Sequence, residues 1–107
     1  MGTPLRATAA ANTATVITVS AVGSVAHEIE MLAWSYDAGG TLSGGRLTVE
    51  SPSGTYLFDI NVTSAGAGFV PFSGSCLKGA SGQALIITLA AGGASVVGKL
   101  SAIQRAA

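Results

Sequence analysis

GRLTVESPSGTYLFDINV, residues 45–62, decides the fold class. Leu47 and Val49 alternate with Arg46, Thr48 and Glu50, the period-two pattern of a strand with one face buried. Ser51-Pro52-Ser53-Gly54 follows. Proline fixes its own φ and glycine accepts the left-handed region, so these four residues predict a hairpin turn. Beyond the turn, Tyr56, Phe58, Ile60 and Val62 fall on one face, with Leu57, Asp59 and Asn61 on the other. The stretch therefore reads as a β-hairpin with one wall in a core.

The same grammar extends in both directions. TATVITVS (residues 13–20) is rich in β-branched residues, which suit a pleated surface. VAHEIEMLAWSY (residues 25–36) is long for one strand, and its alternation changes part-way. Val25, His27, Ile29 and Met31 share a face opposite Glu28 and Glu30; then Leu32, Trp34 and Tyr36 make the second face apolar as well. That switch predicts either a bulge or burial on both sides. Glycines in residues 37–45 bracket a loop. Downstream, Phe69 to Phe72 is a short extended piece broken by Pro71, and Cys76 to Lys78 a further short strand. QALIITLA (residues 83–90) is a near-continuous apolar run between glycines, and ASVVGKLSAI (residues 94–103) returns after Ala91-Gly92-Gly93.

About seven or eight short strands at spacings of about ten residues predict an all-β antiparallel β-sandwich. A jelly roll is favoured over an immunoglobulin-like topology, because the immunoglobulin pair of cysteines is missing. Residues 1–12, MGTPLRATAAAN, carry little apolar surface and read as a flexible or extended N-terminal arm. Residues 13–107 then form a single β-sandwich domain.

Composition narrows the function. Only 9% of the 107 residues are charged, and the signs cancel, against about 25% in an ordinary soluble domain. Nucleic-acid binding needs clustered Lys and Arg, and an anionic membrane needs a basic amphipathic segment; neither is present. No apolar run approaches the roughly 18 residues of a spanning helix. So few charges suit a surface that sits against other protein. Cys76 is the only cysteine, so no intrachain disulfide forms, and it reads as a small buried hydrophobe.

Chemistry is sparse. His27 is the only imidazole, no strained G-x-S-x-G turn marks a nucleophile, and no glycine motif cradles a phosphate. In a strand His27 faces away from Glu28 and Glu30. The two glutamates share a face about 7 Å apart and read as solvated charges. Neither a metal nor a cofactor is expected, and the chain reads as a non-enzyme. Asn61-Val62-Thr63 fits a glycosylation sequon, relevant only to a eukaryotic secreted protein. Two groups invite binding. Trp34, Tyr36 and Asp37 lie where a strand enters a glycine loop, an aromatic-plus-acid set of the kind that holds a sugar ring. Leu32, Trp34, Phe69 and Phe72 are candidates for a subunit interface.

Three stretches, AWSYDAGGTLSGGRLTVESPSGT, YLFDINVTSAGAGFVPFSG and ALIITLAAGGASVVGKLSAI, resemble small β-sandwich proteins among the structural genes of tailed bacteriophages, which decorate or cement the capsid. The resemblance covers roughly residues 12–103 and carries no diagnostic residue, so no site is transferred by it. It implies a structural virion protein on the capsid surface, made in the host cytoplasm. It further implies a homo-oligomer, with a trimer favoured, and the major capsid protein as partner. A carbohydrate- or receptor-binding module of a phage fibre or tail is the alternative.

Overall fold

The computed structural model describes residues 2–37, 45–63, 65–72 and 77–106. Within them run nine strands: β1 (Thr3–Thr8), β2 (Thr15–Val19), β3 (His27–Tyr36), β4 (Gly45–Glu50), β5 (Tyr56–Val62), β6 (Gly66–Pro71), β7 (Leu77–Lys78), β8 (Leu85–Leu89) and β9 (Gly98–Ala106). Every pairing is antiparallel. Four ladders nest inside one another: β4 with β5, β3 with β6, β2 with β8, and β1 with β9. This is one long hairpin, and rolling it up brings β8 beside β4 and β9 beside β3. The result is a five-stranded sheet in the order β1-β9-β3-β6, with β7 also on β3, facing a four-stranded sheet in the order β2-β8-β4-β5. That arrangement is a jelly roll.

Each expected strand is present with its ends adjusted, and β1 is an addition. Of the residues read as an N-terminal arm, Thr3–Thr8 are extended and pair along their whole length with β9, and the chain then turns at Ala11 and Asn12, with Asn12 at φ +54°. Leu5 and Ala7 pack against the core between the exposed Pro4, Arg6 and Thr8. Two small inward side chains suffice here because β9 supplies the ladder.

The phase change in β3 is a bulge. Its register against β9 shifts between Ile29 and Met31. His27 and Ile29 point inward before the shift, and Leu32 and Tyr36 point inward after it. Met31, expected beside Ile29, is therefore carried to the outer face opposite Pro71 and Ile103. A second shift lies between Val49 and Glu50 in the hairpin. It turns Tyr56 outward, away from the Phe58, Ile60 and Val62 face, and leaves it 48% exposed. The turn at its tip has Gly54 at φ +90° and a cis Ser51–Pro52 bond.

Between the sheets Ile29, Leu32, Leu47, Val49, Leu85, Ile87, Leu89 and Leu100 are fully or almost fully buried. Buried polar groups are matched: Thr15 Oγ1 donates to Gly98 O at 3.0 Å, and Ser51 Oγ donates to Ala84 O at 2.8 Å. Among the described residues, no buried side-chain nitrogen or oxygen lacks a partner.

Candidate interaction site

The strand pattern sorts the sequence-derived candidates between core and surface. Leu32 is fully buried and lies in the core, out of reach of another subunit. Tyr36 is 2% exposed, and its hydroxyl donates to Ala90 O across the sandwich. Burial pushes its pKa up, since the phenolate would be desolvated. A buried, bonded Tyr36 cannot stack on a sugar, so Trp34, Tyr36 and Asp37 do not converge on one surface. Asp37 is exposed at the strand end, with its N–H donated to Val97 O at 2.9 Å. Trp34 is half-buried on the inner face, its ring lying against Gly68 of β6. Phe72 is also half-buried and meets Phe58 edge-on, with ring centroids 5.7 Å apart. Cys76 lies outside the described residues.

His27 is a satisfied core residue. Its Nε2 lies 2.9 Å from Ser20 O and its Nδ1 lies 3.1 Å from Gln104 Nε2. A neutral ring that donates from Nε2 and accepts at Nδ1 fits both contacts. Glu28 and Glu30, read from sequence as solvated charges, share a cation instead. Arg105 reaches Glu28 at 2.7 Å and Glu30 at 3.1 Å. No three His, Cys, Asp or Glu side chains come together among the described residues.

Phe69 is the apolar candidate that stands exposed, at 62%. The register places it on the outer face of the five-stranded sheet. Across that face run Thr8, Lys99, Ser35 and Ala67; then Arg6, Ser101, Ala33 and Phe69; then Pro4, Ile103, Met31 and Pro71; and beyond these three rows a charged row of Arg105, Glu28 and Lys78. Small side chains in the middle leave two depressions that meet at Ser101. One, of about 400 Å³, is bordered by Ala33, Ser35, Ala67, Phe69 and Lys99. The other, of about 480 Å³, is bordered by Pro4, Arg6, Met31 and Ile103. Arg6 and Lys99 are the charged residues of the first three rows, and the row beyond adds Arg105, Lys78 and the carboxylate of Glu28. From sequence Phe69 was legible as a candidate, but the face around it was not, because its rows join four strands distant in the chain.

The outer face of the other sheet mixes polar side chains with the exposed Val16 and Tyr56. Arg46 grips Asp59 bidentately through one guanidinium edge, with Nε donating to Oδ1 at 2.7 Å and Nη2 donating to Oδ2, and lies 4.8 Å from the Tyr56 ring centre. The hydrogen bonds from Arg46 hold the Asp59 carboxyl below its ordinary pKa. Folding thus favours the ionised form, so this contribution is present above the ordinary aspartate pKa of about 3.9 and is lost as pH falls below it. The pair is solvent-exposed and screened. Asp59→Asn should remove a small, salt-sensitive part of the acid destabilisation in urea titrations followed from neutral pH down. An unchanged acid limb would show that the pair contributes nothing.

No family model and no curated protein matches the chain, so the resemblance to phage decoration proteins rests on the quoted stretches alone. Among solved structures, one described as "CBM4 structure and function" superposes with a TM-score of 0.45 at 9% identity, over 97% of this chain and 84% of that one. At that similarity the match says nothing of what this chain binds.

Proposed function

We propose that this chain is a non-catalytic structural domain that binds other protein through the outer face of its five-stranded sheet, as a decoration or cement protein seated on a phage capsid. The observation that carries this reading is the makeup of that face. Phe69 stands exposed beside Ala33, Met31, Pro71 and Ile103, with cations and no carboxylate in the three rows. An apolar patch with one protruding aromatic, bordered by the charged row of Arg105, Glu28 and Lys78, has the makeup of an interface centre and its rim, and Arg6 and Lys99 suit an acidic rim on the partner. The small number of charges in the whole chain supports the same reading. The resemblance supplies the capsid, its major protein and the virion as the setting.

The test is cosedimentation with empty phage heads assembled without the chain. Wild type should pellet to saturation, and Phe69→Asp should weaken binding at least about tenfold, the scale of losing one interface anchor. Failure of wild type to pellet would overturn the capsid reading, and full binding by Phe69→Asp would move the contact to another face.

A carbohydrate-binding module is the second reading, favoured by Phe69 standing over a depression that also offers Ser35, Ser101 and Lys99. Glycan-array binding abolished by Phe69→Ala, with heads left unbound, would put it first.

A further inference from the structure

Sheet edges expose unpaired N–H and C=O groups, and folded proteins block them with proline, charge or bulges. In this jelly roll the edges differ, and the difference can be read from the ladders. Antiparallel partners alternate between pairs that exchange both hydrogen bonds and pairs that exchange none. Ala9 donates to Gly98 O in the β1–β9 register, so Leu5 and Ala7 face β9, while Pro4, Arg6 and Thr8 turn their backbone groups outward. Phe72 donates to Glu30 O in the β3–β6 register, so Ala67, Phe69 and Pro71 face outward on β6. Both edges of the five-stranded sheet thus carry a proline where the free N–H would stand, and β1 adds Arg6.

The four-stranded sheet is guarded on one side. Ala90 donates to Arg46 O, which fixes the alternation across β8 and β4. On β5 the outward residues include Asp59, whose charge is held by Arg46, and the strand is bulged beside Leu57. On β2 the outward residues are Val16 and Thr18. This strand has no proline, no charge and no register shift, and Val16 is 47% exposed.

We propose that the free edge of β2 pairs antiparallel with β2 of a second copy, joining the two four-stranded sheets into one. This rests on the reading of the chain as an assembling domain, and adds which surface joins the copies. The sequence Thr15-Val16-Ile17-Thr18-Val19 is self-complementary about Ile17. Val16 exchanges both backbone hydrogen bonds with Thr18 of the partner subunit, and Thr18 does so with the partner subunit's Val16. On the inner face Ile17 meets its own copy, which continues the core across the two-fold axis. On the outer face each valine stands opposite a threonine, a β-branched pair with no like charges opposed. The geometry favours pairs of chains over the trimers that the resemblance implies.

The test combines solution mass with amide hydrogen exchange on the full chain. Wild type should be a dimer that dissociates on dilution. At about a hundred times the dissociation constant, exchange at Val16 and Thr18 should slow on the order of tenfold, because the β2–β8 ladder leaves both amides turned away from β8. Val16→Lys/Thr18→Lys changes two exposed side chains and should give a folded monomer of half the mass that still pellets with heads. A monomeric wild type at every concentration overturns the pairing. So does an oligomer whose Val16 and Thr18 amides exchange freely, a result that needs no variant to fold. Head binding by such a protein would leave the function reading standing, and its loss in wild type would strike that reading alone.

Discussion

Deleting residues 2–9 should leave a chain that aggregates or unfolds at a much lower urea concentration than the full-length protein. An arm lying free of the domain would be dispensable, but these residues include β1, an entire edge of the five-stranded sheet. Its ladder bonds alone do not decide the outcome. Each contributes about 1 kcal/mol net, which ordering the backbone at about 1–2 kcal/mol per residue largely offsets. Two other effects decide it. Leu5 and Ala7 cover the core beside Leu100 and Ala102, and removing that cover costs about 2–3 kcal/mol of hydrophobic burial. The deletion also turns β9, the long partner of both β1 and β3, into a bare edge with no proline at its outward positions, which invites edge-to-edge association. Urea unfolding followed by circular dichroism, with light scattering alongside, measures both. A truncated chain with the same midpoint and mass would show that β1 adds nothing to the fold.

The same strand shows where sequence reading reaches its limit. The hairpin of β4 and β5 was legible because its alternation is strong and its turn residues have one backbone solution. The jelly roll followed from strand spacing, since short strands joined by glycine turns have few other ways to hide one face each. β1 carries the alternation too, Leu5 and Ala7 against Arg6 and Thr8, but alanine and a single leucine bury too little to stand out without β9. In β3 the sequence announced that something interrupts the alternation, and the structure places the interruption at the Ile29–Met31 shift. Which apolar residues then lie inward depends on that one extra residue. Tyr36 therefore became core where a binding residue was expected, and Met31 became surface. The outer face around Phe69 and the unguarded edge of β2 could not be read locally at all. Both are properties of neighbouring strands that the roll, rather than the sequence order, brings together.

Gly68→Ala should destabilise the protein far more than an alanine in an exposed edge strand normally would. A Cβ at this position would stand 2.2 Å from Trp34 Cζ2 and 2.3 Å from Cε2, distances that no packing tolerates. The obstacle is the body of a rigid ring and not the tip of a flexible chain, so either the indole or β6 must move. Overpacking of this kind costs about 1–3 kcal/mol. Truncating the ring itself, Trp34→Ala, should cost about 3 kcal/mol, the low end for tryptophan because the side chain is only half-buried. The diagnostic result is the double variant. With the ring gone the three nearest obstacles to the new methyl are removed, so Gly68→Ala should cost much less in the Trp34→Ala background, giving a coupling of about 1–3 kcal/mol. Trp34 is the only tryptophan, so its emission reports the displacement directly and should shift to the red in Gly68→Ala. Additive costs with unshifted emission would mean that the indole does not rest on Gly68. If Trp34→Ala instead kept full stability and lost only glycan binding, the ring would serve a ligand and not the packing of β3 on β6.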